Sequence, residues 1–144
     1  MKHASPLALA LASLFAAAAP TAWAEPTPEH AAACVAALES EAEGMARQYR
    51  DGKLEVEGEL VRRVQQGFAF IGAAYKQGLR GEEADRMLKA AEKAQEGLPA
   101  AELAARQAKC RGEGAALLAN ANFLERAFVI KAAQRRVDKL KRPS

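Results

Sequence analysis

Cys34-Val35-Ala36-Ala37-Leu38-Glu39-Ser40-Glu41-Ala42-Glu43-Gly44-Met45-Ala46-Arg47-Gln48-Tyr49 decides the fold. Val35, Leu38, Ala42, Met45 and Tyr49 recur in steps of three and four, the period of one helix face. Alanine, the best helix former, fills the gaps. Cys34 stands beside that stripe, so a covalent tie from this helix to another part of the chain is available.

The tie has one possible partner, Cys110, 76 positions further on. An even pair of cysteines in an exported chain most often forms a disulfide. A loop this long contributes roughly 4–5 kcal/mol in the chain-entropy picture, as an upper figure. Bridged cysteines have Cα atoms under about 7 Å apart. The first third of helix one must therefore touch the middle of the Ala100–Leu140 region. The chain has no C-x-x-C and no C-x-x-C-H, so a thioredoxin-like redox motif and a covalent haem attachment are both missing.

Upstream, Thr27-Pro28-Glu29-His30 reads as a helix start: a capping hydroxyl, proline in the first turn, and an acid at the positive dipole end. Downstream, Asp51-Gly52 is a turn. A second helix is predicted from about Leu54 to Leu79, with Val61, Val64, Phe68, Ile71 and Tyr75 facing inward. Its glycines, Gly58, Gly67, Gly72 and Gly78, suggest close packing against a neighbour. After Gly78-Leu79-Arg80-Gly81 a third helix starts at Glu82-Glu83, with Ala84, Met87, Leu88 and Ala91 inward. Gly97-Leu98-Pro99 stops it. From Ala100 to about Leu140 the residues Leu103, Gln107, Cys110, Gly114, Leu117, Ala121, Leu124 and Phe128 keep one step. A kink or break is expected at Gly112 and Gly114. No window alternates like a strand. The expectation is an all-α antiparallel bundle of four to five helices closed by one disulfide, with Phe68 and Phe128 in its core. Residues 121–130, apolar on more than one face, are expected in a central position.

The N-terminal residues predict an address. Lys2 begins a basic start, Leu7 to Ala19 is apolar apart from Ser13, and Ala22-Trp23-Ala24 precedes Glu25. That is the layout of a secretory signal cut after Ala24. Residues 1–24 are read as signal and 25–144 as a single domain. The apolar run is too short to span a membrane, which takes about 20 residues. No twin arginine and no cysteine mark the cut, so a Sec-type route to a periplasmic or secreted location, without a lipid anchor, is expected. The formal net charge is +3, and Lys2 is the only charge before Glu25, leaving +2 for the remainder. That is too mild to call for nucleic acid.

Catalytic chemistry finds little purchase. His30 is the only histidine after the signal. It reads as an exposed helix-start residue, and one histidine with an oxidised cysteine pair does not make a zinc set. Thr27 reads as a helix cap, Ser40 and Ser144 lack a histidine nearby in sequence, and there is no G-x-S-x-G elbow. Glu82-Glu83 reads as a dipole cap. The bundle architecture is similar to that of periplasmic b-type cytochromes, but Met45 lies too far along the helix to share an ion with His30. No catalytic residue, metal or cofactor is assigned.

Charge distribution is the clearest surface signal. Glu25 to Gly44 holds five acids and neither Lys nor Arg. Arg126, Lys131, Arg135, Arg136, Lys139, Lys141 and Arg142 face a single acid, Asp138. The cluster is a candidate for an anionic surface. The plainer alternative is pairing across helices with Glu39, Glu41 or Glu43, plus favourable helix-dipole placement. The expected function is a non-enzymatic exported protein binding another macromolecule or envelope component, with homo-oligomers possible. The runner-up is a small-ligand carrier or electron-transfer bundle.

Overall fold

Thr27 starts the first helix as its sequence predicts: the hydroxyl accepts the His30 N–H at 3.2 Å, and Pro28 takes the first turn. In this computed structural model, which describes residues 24–143, α1 spans Pro28–Arg50. A short 3-10 turn at Leu54–Val56 leads into α2 (Glu57–Lys76). Then follow α3 (Gly81–Glu96), α4 (Ala100–Asn120) and α5 (Phe123–Leu140). The chain is all-helical among the described residues. The predicted signal segment, residues 1–24 with its expected cut after Ala24, lies almost wholly outside them.

Two glycines end helices in the left-handed backbone region, where a Cβ is costly. After α1, Gly52 (φ 98°) lets its own N–H reach the Tyr49 carbonyl and the Lys53 N–H reach that of Gln48. After α2, Gly78 (φ 90°) does the same with Tyr75, and Leu79 with Ala74. The second motif turns Leu79 back onto the core.

α1 is the central element and packs against all four other helices. Cys34, Val35, Ala36, Ala37 and Leu38 are buried in succession, which means neighbours on every side. Alanine permits this, because short side chains let several backbones approach at once. α2 runs antiparallel to α1: Gln77 reaches the Pro26 carbonyl at one end, and Arg63 pairs with Glu41 further along. α4 is likewise antiparallel to α1, tied by Cys34 and Cys110 with Cα atoms 5.3 Å apart. No cysteine is free. α5 is antiparallel to α2, with Lys76 paired to Glu125 at one end and Lys141 to Glu57 at the other.

Two apolar cores result, both built on α1 and α2. One gathers Ala31, Cys34, Val35, Ala37, Leu38, Phe70, Ala74 and Cys110, with Leu79, Leu88 and Leu117 against it. The other gathers Ala42, Ala46, Leu60, Val64, Ala133 and Val137. α3 leans on α1 through its predicted stripe, with Ala84, Met87, Leu88 and Ala91 half-buried.

Four sequence expectations are corrected. The inward face of α2 is Leu60, Arg63, Val64, Gln66, Phe70, Ala73 and Ala74, whereas Ile71 and Tyr75 are exposed and Phe68 only half-buried. Arg63 and Gln66 sit in the true stripe, so an apolar count locks onto the wrong one. The break after α4 falls at Ala121-Asn122, not at Gly112 and Gly114. Asn122 accepts the Glu125 N–H at 2.9 Å while the Glu125 carboxylate accepts the Asn122 N–H at 3.0 Å, a capping box that starts a new helix. Because the new helix has its own register, Leu124 and Phe128 face solvent and residues 121–130 are not central. Their buried replacements are Val129, Ala133 and Val137. Lastly, the close packing predicted for the α2 glycines occurs at Gly114 instead: Gly58, Gly67 and Gly72 have open space where a Cβ would go.

Candidate functional site

The seven basic residues of the C-terminal region divide into two groups. Three are occupied. Arg126 donates to the Ala121 carbonyl at 2.9 Å and the Ala119 carbonyl at 3.4 Å, closing the end of α4. Arg136 pairs with Glu39, and Lys141 with Glu57 while lying over the Tyr49 ring at 4.9 Å. The Glu57 carboxylate, and to a lesser degree Tyr49, hold the Lys141 ammonium above its ordinary range. Cross-helix pairing thus accounts for Arg136 as the charge pattern suggested, and Arg50 adds a donor to the Leu140 carbonyl at 2.5 Å.

Lys131, Arg135, Lys139 and Arg142 form the second group. They are exposed, with no carboxylate within 4.0 Å among the described residues. Extending their line toward the start of α5 meets Phe128 and then Leu124. The series Leu124, Phe128, Lys131, Arg135 and Lys139 steps by four, three, four and four, so it is one ridge opposite the buried Val129, Ala133 and Val137, and Arg142 follows just past the end of α5. At 1.5 Å per residue the ridge from Leu124 to Lys139 is about 22 Å long. Its leading end is apolar, with Leu124 76 % and Phe128 65 % exposed; Phe123 (83 %) and Ile130 are also exposed, on the flank of α5 rather than in this line. The pattern was half-visible in sequence. The cations stand out in sequence, whereas the aromatic end counts as core until the capping box at Asn122 resets the register.

A buried polar cluster separates the two cores. Arg63, nearly inaccessible, donates to Gln66 Oε1 at 2.9 Å and Glu59 Oε2 at 3.1 Å, and its Nε lies 3.2 Å from Glu41 Oε2. Arg111 from α4 pairs with the other Glu41 oxygen at 2.6 Å. Burial lowers the Arg63 guanidinium from its ordinary range, opposed mainly by Glu41. This cluster joins α1, α2 and α4 and is structural.

Near the disulfide, His30 is half-buried and partnered, not a bare helix-start residue. Its Nε2 lies 2.5 Å from Glu113 Oε2 and 3.6 Å from Cys34 Sγ, and its ring meets the edge of Phe70 with centroids 6.3 Å apart. Lys109 shares Glu113 through the other oxygen at 3.8 Å. The spacing signals were present, His30 to Cys34 and Cys110 to Glu113, but only the bridge brings the two pairs together. The donor atoms of His30, Cys34 and Glu113 lie within 4.8 Å of one another. Glu82 and Glu83 are exposed in the first turn of α3, as a dipole cap requires. No helix among the described residues is long and apolar enough to cross a membrane. No family model, curated protein or solved structure matches this chain.

Proposed function

We propose that this is an exported, non-enzymatic protein that docks through the outer ridge of α5 onto an anionic lipid surface of the cell envelope. The observation that carries the reading is the composition of that ridge: Lys131, Arg135 and Lys139, without a carboxylate partner among the described residues, stand in line with exposed Phe128 and Leu124, and Arg142 follows at the end of the helix. Cations attract lipid phosphates, and Phe and Leu side chains enter the headgroup–acyl boundary, so the two halves act on one interface. The helix lies along the interface and does not span it. A second copy of the chain fits the ridge poorly, since a two-fold contact would set its cations against themselves. The disulfide supports an oxidising compartment, in keeping with a secretory signal over residues 1–24.

The small-ligand reading has less support. The apolar cleft between α1, α2 and α5, lined by Val35, Leu38, Val64, Phe68, Ile71 and Leu140, holds about 80 Å³. Ligand pockets usually hold about 300–1,000 Å³. A larger space, about 340 Å³ over His30 and Glu113, is open to solvent and lined by the charged Glu25, Lys109 and Glu113 as well as Phe70 and Leu117.

Co-sedimentation with vesicles containing phosphatidylglycerol tests the reading. Binding is expected at low salt and should fall steeply as salt rises, because exposed charges are screened over about 10 Å at 0.1 M. Replacing Lys131, Arg135 and Lys139 by Gln should abolish it with the helical spectrum intact, and Phe128→Ser should weaken it at every salt concentration. Absence of sedimentation at low salt, or equal binding to neutral vesicles, removes the proposal.

A further inference from the structure

We propose that the disulfide region is a redox-gated metal site: once the Cys34–Cys110 bond is reduced, both thiolates, His30 and Glu113 bind one Zn²⁺. The site lies on α1 and α4, away from the α5 ridge, and stands independently of lipid docking.

The four residues come as two helical pairs. His30 and Cys34 are one turn apart on α1, and Cys110 and Glu113 are one turn apart on α4. Residues three or four apart share a helix face, so each helix presents two donors toward the other. Zinc takes nitrogen at about 2.0–2.1 Å and thiolate sulfur at about 2.3 Å, so a tetrahedral ion separates such atoms by about 3.5 Å. The observed separation of His30 Nε2 from Cys34 Sγ is 3.6 Å. The Glu113 oxygen, now 2.5 Å from the same nitrogen, needs to withdraw by under about 1 Å to admit an ion between them. Both thiolates are required: a disulfide sulfur is a poor donor, and His30 with Glu113 alone makes only half a set. An approach exists as well. A cavity of about 340 Å³ opens over His30 and Glu113, walled by Thr27, Phe70, Lys109 and Leu117.

The chemistry balances with a dithiol reductant. It gives two electrons and two protons to the Cys34–Cys110 bond, yielding two thiols, and closes to its own disulfide. Zn²⁺ then takes both sulfurs as thiolates and releases the two thiol protons to solvent. The ion replaces the lost covalent tie, so α1 and α4 stay joined in either redox state. A disulfide oxidant reverses the step: it accepts two electrons from the two thiolates and two protons from solvent, leaves as a pair of thiols, and the re-formed Cys34–Cys110 bond releases Zn²⁺.

The experiment uses the exported protein with its disulfide formed, reduced by a phosphine and desalted without oxygen, and titrated with Co²⁺ as a spectroscopic substitute for zinc. Expected is a thiolate-to-cobalt charge-transfer band with tetrahedral visible bands, saturating at one ion per chain, bleached by Zn²⁺, and absent from the oxidised protein. His30→Gln and Glu113→Gln leave the disulfide intact for folding, and each should weaken Zn²⁺ binding to the reduced chain at least about tenfold. If reduction unfolds the chain, zinc should restore its helical spectrum, because binding then drives folding. Four outcomes overturn the proposal: no cobalt band, equal binding to the oxidised protein, insensitivity to either substitution, or an unfolded reduced chain that zinc fails to refold.

Discussion

A methyl carbon placed on Gly114 of α4 would sit 2.9 Å from the Cβ of Gln66 on α2, and 3.2 Å from its carbonyl oxygen. The backbone of α4 therefore rests directly on α2, one position past Glu113 and four past the bridged Cys110. Gly112, two residues earlier, has nothing within 4 Å of the same position.

The two glycines should thus respond oppositely to alanine. Gly114→Ala overpacks a helix–helix contact and should cost about 1–3 kcal/mol. Gly112→Ala only removes backbone freedom from a helix interior and should stabilise by up to about 1 kcal/mol. Urea melts of both variants decide it. Equal effects in one direction would mean that α4 does not rest on α2 at Gln66.

Phe70 is fully inaccessible beside the disulfide. Phe70→Ala should cost about 3–5 kcal/mol. Phe128→Ala, on the outer ridge, should stay within about 0.5 kcal/mol of the parent. Chemical denaturation of the two variants is the measurement, and a large loss at Phe128 would return that ring to the core.

These phenylalanines also show what the sequence could and could not reveal. The helical class, the tie between Cys34 and Cys110, the Thr27 cap and the stripes of α1 and α3 follow from period, propensity and capping chemistry. All but the tie depend on neighbours within a few positions, and the tie followed from Cys34 and Cys110 being the only two cysteines. The inward face of α2 did not follow, because Arg63 is buried beside Glu41 of α1 and Arg111 of α4, and Gln66 under Gly114 of α4, all of which arrive from other helices. The outer ridge of α5 was legible in its cations and hidden in its aromatics. Asn122-Phe123-Leu124-Glu125 carries a capping signature, and reading it would have reset the register. The partnership of His30 with Glu113 required the fold itself.

Arg63 is predicted to be the polar residue whose loss hurts most. Arg63→Met leaves the half-buried Glu41 with Arg111 as its remaining partner, and should cost about 2 kcal/mol, less than for a fully buried charge. Pairing it with Glu41→Leu removes the stranded charge and should recover much of that loss, since apolar replacements of buried ion pairs are often neutral or better. A double-mutant cycle in urea measures the coupling. Purely additive losses would show that Glu41 and Arg63 do not act as a pair.

The start of α5 should carry a pH dependence of its own. The Glu125 carboxyl is held below its ordinary range by the Lys76 ammonium first and by the Asn122 N–H second. A carboxyl lowered in the folded state stabilises the fold while ionised. That contribution is complete above the unfolded-state value and is lost as pH falls through the lower folded one. Glu125→Gln keeps an oxygen for the Asn122 N–H but loses the charge facing Lys76. The variant should therefore melt below the parent at pH 7, and the gap should close as pH falls below about 4. Asn122→Ala removes the other half of the box, which does not titrate, and should cost about 1 kcal/mol at both pH values. Thermal melts of the three proteins at pH 7 and pH 3 separate the two roles. A Glu125→Gln deficit of the same size at both would show that Lys76 contributes nothing through charge and that the box holds α5 in register by shape and hydrogen bonding alone.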